Sequence, residues 1–231
     1  MSNLHYIFDP LCGWCYAAAP LISAAREVPG LTVRFHGGGM MTGSRRQTIT
    51  PQWRDYVMPH DLRIARLTGQ PFGEAYFEGL LRDNTALMDS TPPSTAILAA
   101  EDIAGRGLDM LHALQHAHYA QGRRIADRDV LDALATQLGL SSAAFGEAFE
   151  RLTGAETEAH FIASNRLLAR VGGQGYPTLV LEHADGTLER LDLGNWLGRA
   201  EEWAAHLRGR LPVPAVAASI NAQCGTDGCT R

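Results

Sequence analysis

Leu4-His5-Tyr6-Ile7-Phe8-Asp9-Pro10-Leu11-Cys12-Gly13-Trp14-Cys15-Tyr16 joins two different periodicities. Leu4 to Phe8 is short, aromatic and β-branched, and Asp9-Pro10 ends it, which predicts a strand. From Tyr16 to Glu27, the residues Ala17, Ala18, Leu21, Ile22 and Ala25 recur at helical spacing. Between the two runs sits Cys12-Gly13-Trp14-Cys15. A bare C-x-x-C occurs in metal sites and structural disulfides alike. At the end of a first strand, opening a helix, it is the arrangement of a dithiol redox centre.

The chemistry follows from that placement. The first turn of a helix leaves backbone N–H groups unpaired and carries a partial positive charge, so a thiolate there is stabilised. Cysteines three residues apart on a helix share a face and lie within disulfide reach. Cys12, nearer the open end, is expected to attack a substrate disulfide. Cys15, one turn deeper, is expected to resolve the mixed disulfide. Gly13 lets a partner backbone approach, and Trp14 offers an apolar contact beside the sulfur. Asp9 is read as a cap for this helix in preference to a proton relay to Cys15.

Far along the chain, Gly175-Tyr176-Pro177-Thr178 precedes the strand-like run Leu179-Val180-Leu181. A proline at the start of a strand is tolerated where its missing donor faces a loop or a ligand, and cis peptides are essentially a proline phenomenon. With both segments in view, the chain resembles the thioredoxin-fold oxidoreductases of the DsbA family, over roughly residues 4 to 210. Phe8 to Tyr16 is similar to the FrnE-like subgroup, cytosolic and protein disulfide isomerase-like, as is the stretch Gln121 to Asp127. The resemblance implies that Tyr176 and a cis Pro177 pack against the dithiol and align the substrate strand, with Trp14 as a further substrate contact. It also implies a kink at Pro20 and a thiol–disulfide oxidoreductase or isomerase activity. Cys-Gly-Trp-Cys differs from the Cys-Pro-His-Cys of exported DsbA, so strong oxidant behaviour is not implied.

Composition bounds the rest. The chain has 231 residues, 45% hydrophobic and 19% charged, which fits a globular protein. A net charge of −5 without a long basic run gives no footprint for nucleic acid. No apolar stretch approaches the roughly 20 residues needed to span a bilayer. Strand-like residues begin at Leu4 with no basic and apolar leader before them, so no signal peptide and a cytoplasmic location are expected. The expected partners are disulfide-containing proteins or small thiols. No cofactor or metal is expected, with glutathione as the candidate thiol partner.

Read in order, the elements predict β-α-β, a helical insertion, then α-β-β-α. This is an α/β thioredoxin-like fold with an inserted all-helical domain. The expected boundaries are 1–48 and 155–210 for the thioredoxin-like domain, 49–154 for the insertion or lid, and 211–231 for a tail. Thr50-Pro51 predicts a helix start, and Asn195 a cap for the last helix. Met40, Met41, Trp53, Met58, Phe72, Tyr76 and Phe77 are expected mainly in a core, with an apolar substrate groove under the insertion as the alternative. In the tail, Cys224 and Cys229 match a second C-x4-C pair found in some FrnE-like proteins, which implies a redox relay to Cys12 and Cys15. Zinc on all four cysteines is the weaker alternative, because the pairs are far apart in sequence. The alternative function is a glutathione-dependent isomerase or transferase, of the 2-hydroxychromene-2-carboxylate isomerase or kappa-class type. A resolving cysteine has no use in such chemistry.

Overall fold

The computed structural model describes residues 2–211. Its frame is a four-stranded mixed sheet in the order β2-β1-β5-β6, built from β1 (Ser2–Phe8), β2 (Leu31–Gly37), β5 (Thr178–Glu182) and β6 (Leu188–Leu191). The central strand β1 runs parallel to β2 and antiparallel to β5. Parallel neighbours need a crossover, and α1 (Gly13–Arg26) supplies it. Strand side chains alternate between faces. Leu4, Tyr6 and Phe8 enter the main core, and the Tyr6 hydroxyl donates to the Cys15 carbonyl of α1 at 3.1 Å. His5, on the other face, meets His36 and Glu182.

A two-stranded ribbon and five helices lie between β2 and α7 (Ala155–Arg170), the helix that leads back to the sheet. β3 (Gln47–Thr48) pairs with β4 (Leu87–Met88), and the helices are α2 (Pro51–Thr68), α3 (Thr91–Ala104), α4 (Gly107–Tyr119), α5 (Arg128–Gln137) and α6 (Ser142–Leu152). Thr50 caps α2 as expected, its hydroxyl accepting from the Trp53 N–H at 3.1 Å behind Pro51. The segment departs from an all-helical reading at β3 and β4, and at a π-helical turn over Ala75–Gly79. α7 (Ala155–Arg170) packs on β2, and α8 (Ala200–Arg210) packs on α1.

Two local expectations need correction. Asn195 does not cap α8, which starts at Ala200 after two turns closed by Trp196 N–H to Leu193 and Arg199 N–H to Trp196. Gly198 lies between them at φ 81°, and a Cβ there would come within 2.6 Å of the Leu67 carbonyl of α2. Close passage over α2 thus interrupts the helix before it can reach back to Asn195. α1 starts at Gly13, ahead of the Tyr16 start that the apolar spacing predicts, with Cys12 as its N-cap and Cys15 in its first turn.

Candidate active site

Cys12 is the N-cap of α1, with extended backbone, and its carbonyl accepts from Cys15 N–H at 2.9 Å and Tyr16 N–H at 3.1 Å. The remaining N–H groups of the first turn therefore face the end of the helix where Cys12 stands. Cys12 is 8% exposed and Cys15 is fully sealed. Burial pushes the Cys15 thiol well above its ordinary range, and the adjacent Cys12 sulfur adds to the effect. Cys12 is thus the less enclosed of the two sulfurs and the one a substrate meets first.

Across from the helix, the Tyr176–Pro177 peptide bond is cis and leads into β5. The Tyr176 carbonyl lies 3.4 Å from Cys12 Sγ, close enough to accept from the thiol. The Tyr176 ring is held at its far end, where the hydroxyl reaches the Gly38 carbonyl at 3.1 Å and Asn165 Oδ1 at 2.9 Å. Asn165 in turn donates to the same Gly38 carbonyl at 2.8 Å. A Cβ on Gly38 would come within 2.1 Å of the Tyr176 hydroxyl, so Gly38 makes room for this ring. A cavity of about 490 Å³ opens beside Pro177, lined by Thr178, Arg190, Leu191, Asp192, Leu193 and Gly194.

Asp9 is fully buried and does not cap α1, which has no side-chain cap bond. One carboxylate oxygen accepts from Leu11 N–H at 2.9 Å and the Ser90 hydroxyl at 2.9 Å. The other accepts from Met40 N–H at 2.6 Å. Asp9 is therefore a tie joining the loop before Cys12, the loop after β2 and the start of α3. Burial still pushes its carboxyl up, against the lowering effect of those bonds and of Arg45.

The insertion covers the other side of the dithiol. Arg63 of α2 places its guanidinium over the Trp14 ring, 5.6 Å from the centroid. Asp61, 4% exposed, faces Gly13 and accepts from the Tyr76 hydroxyl at 2.8 Å. Tyr16 stacks on Tyr119 at 4.9 Å and meets Phe72 edge-on at 5.4 Å. Tyr76 is buried, and Trp53, Met58, Phe72 and Phe77 pack against the same core, so these side chains are core rather than an open groove. Among the described residues, no cluster of three His, Cys, Asp or Glu is placed to hold a metal, and no helix is long and apolar enough to cross a membrane. Cys224 and Cys229 lie outside the described residues.

Sequence reasoning missed Gly38, Asn165, Ser90 and Asp61. The Gly37-Gly38-Gly39 run is the one visible signal among them, a break after β2 that does not say what it accommodates.

A dithiol at a helix N-terminus, one sulfur reachable and one sealed, opposite a proline-led strand, defines a thioredoxin-fold dithiol protein. The model of the DSBA-like thioredoxin domain matches residues 4–198, and the chain belongs to that family. Among solved structures, it is similar to the cytosolic disulfide reductase DsbM from Pseudomonas aeruginosa, at 55% identity and TM-score 0.85, over 90% of this chain and 97% of that one. The same reductase with GSH aligns at 52% identity and TM-score 0.83, over 90% and 98% of the two chains. A 2-hydroxychromene-2-carboxylate isomerase aligns at 15% identity and TM-score 0.57, over 91% and 100%, a likeness of fold alone. Comparison with curated proteins gave no match.

Proposed function

We propose that this chain is a thiol–disulfide oxidoreductase that reduces disulfides at Cys12 and Cys15 with electrons from glutathione or a similar small thiol. The observation that carries the reading is the pairing of a reachable Cys12 with a sealed Cys15, with the Tyr176 carbonyl 3.4 Å from the Cys12 sulfur. The Cys12 thiolate attacks one sulfur of the substrate disulfide and expels the other as a thiolate. Cys15, losing its proton, attacks the Cys12 sulfur and releases the second substrate thiolate. Two electrons leave the dithiol, and a Cys12–Cys15 disulfide forms. Two small thiols then reverse the sequence, leaving as their own disulfide.

The backbone of Tyr176 and Pro177 aligns the substrate, and Trp14 contacts it. The cavity beside Pro177, with Arg190 at its wall, suits the carboxylates of a small peptide thiol. Likeness to a cytosolic reductase also solved with GSH supports glutathione as the partner, disulfide proteins as substrates and the cytosol as the setting. No cofactor enters this chemistry. Residues 1–48 and 155–210 form the catalytic domain in this reading, 49–154 cover it, and the tail pair Cys224 and Cys229 exchanges with the dithiol.

The isomerase or transferase alternative retains the fold but leaves Cys15 without a task. Insulin reduction with glutathione as donor tests the proposal. Cys12→Ser is expected to abolish turnover, and normal turnover by that variant overturns it. Truncation before Cys224 is expected to slow re-reduction of the dithiol, and an unchanged rate removes the relay.

A further inference from the structure

Gly37, Gly38 and Gly39 carry the chain out of β2 with no side chains of their own to hold it. Glycine backbone is the least restricted, so such a run keeps one shape only where outside groups bind it. Each of the three is bound in this way. The Gly39 carbonyl accepts from the Arg45 guanidinium at 2.7 Å and from the Thr42 hydroxyl at 3.1 Å. The Gly38 carbonyl takes the Tyr176 hydroxyl and the Asn165 amide. The Gly37 N–H donates to His160 Nε2 of α7 at 2.9 Å. β2 is an edge strand of the sheet. Its Gly38 N–H turns inward to the Phe8 carbonyl of β1 at 2.8 Å, so the neighbouring Gly37 N–H turns outward. An edge strand ordinarily leaves such donors to water. Here an imidazole takes it.

The ring is set for that task. It packs against Phe35 of β2, with 6.1 Å between centroids, and against Phe161 at 6.4 Å. Nε2 accepts only as the unprotonated nitrogen of a neutral ring, and burial lowers His160 below its ordinary range, which favours that form. Asn165 lies on the same helix, so α7 grips the run at Gly37 and again at Gly38. From His160 the links are continuous: Nε2 to the Gly37 N–H, one peptide on to the Gly38 carbonyl, and from there to the Tyr176 hydroxyl. The Tyr176 carbonyl then stands 3.4 Å from Cys12 Sγ.

We propose that His160 is a positioning residue for the substrate-aligning segment: by accepting from the Gly37 N–H it fixes the glycine run that seats the Tyr176 hydroxyl, and through it the Tyr176 backbone beside Cys12. The proposal rests on the reading that Cys12 attacks while the Tyr176 backbone aligns the substrate.

Two assays on the full chain separate alignment from reactivity. Insulin reduction with glutathione as donor needs an aligned substrate strand, and alkylation of Cys12 by iodoacetamide does not. His160→Phe keeps an aromatic ring without an acceptor. It is expected to lower kcat/KM for insulin by about tenfold, while the alkylation rate stays within about twofold of wild type. His160→Gln places an amide oxygen at nearly the reach of Nε2 and is expected to restore most of that loss. Hydrogen exchange at the Gly37 amide is expected to be slow in wild type and His160→Gln, and fast in His160→Phe. Wild-type kcat/KM in a folded His160→Phe overturns the proposal, as does an equal loss in His160→Phe and His160→Gln. Alkylation that falls in step with insulin reduction overturns it too, because the fault then lies in Cys12 rather than in alignment. If His160→Phe does not fold, His160→Asn, too short to reach Gly37, replaces it, and wild-type kcat/KM there overturns the proposal. Insulin reduction that survives Cys12→Ser removes the underlying reading instead, whatever the His160 variants do.

Discussion

At the scale of single residues, the dithiol works because its neighbours are fixed by groups that do no chemistry. Tyr176 meets Cys12 through its backbone, and its ring is pinned through its hydroxyl to Gly38 and Asn165. Gly38→Ala would drive a methyl group into that hydroxyl. Misplacement of an aligning group by about 1 Å costs on the order of a hundredfold in rate. Gly38→Ala is therefore expected to lower kcat/KM for insulin reduction by at least about tenfold while the protein stays folded, and wild-type turnover would contradict this role for the ring. Cys12, Cys15 and Pro177 were legible because each is a rare residue at a rule-governed place, the start of a helix or of a strand. Asp61 was not, because an aspartate on an amphipathic helix looks solvated until the packing of α2 against α1 is known. Asp9 was misread for a related reason. A residue just before a helix suggests a cap, and only the fold reveals that Met40 and Ser90 compete for its carboxylate.

At the scale of elements, local rules held where the contacts are local. Thr50-Pro51 starts α2 as the capping rules require, and Thr50→Ala is expected to cost about 1 kcal/mol in denaturant unfolding. The strand over Leu4 to Phe8 and the β-β order after Pro177 were readable for the same reason. The start of α8 was not, because its boundary depends on Gly198 crossing the backbone of α2. α4 contributes a histidine, His118, that is fully buried with neither ring nitrogen partnered. Burial lowers it to about 4 from an ordinary 6.5. The unfolded chain binds a proton there that the folded chain refuses. The stability tied to this residue is present above about 6.5 and lost as pH falls through about 4, with a size of about 3 kcal/mol. His118→Phe, of similar size and without a proton to bind, is expected to flatten acid unfolding between those limits. An unchanged slope would contradict the account.

At the scale of the whole molecule, the sheet and α1 present the dithiol, and the helical segment between β2 and α7 covers it. The cover brings a cost. The folded state holds the Asp61 carboxyl at about 7, against an ordinary value of 3.8. Its folded form binds a proton that the unfolded chain has released, so stability is lost as pH rises from about 4 through about 7, by roughly 4 kcal/mol. Asp61→Asn is expected to raise the Tm more at pH 8 than at pH 5, and a variant that loses stability equally at both would contradict this. The central claim, that Cys12 attacks and Cys15 resolves, is tested most directly by trapping. Cys15→Ser and Cys12→Ser are each mixed with oxidised glutathione, and the adducts are mapped by peptide mass spectrometry. The account predicts a stable mixed disulfide at Cys12 in Cys15→Ser, and no adduct at Cys15 in Cys12→Ser. An adduct at Cys15 in Cys12→Ser, or none at Cys12 in Cys15→Ser, would contradict it.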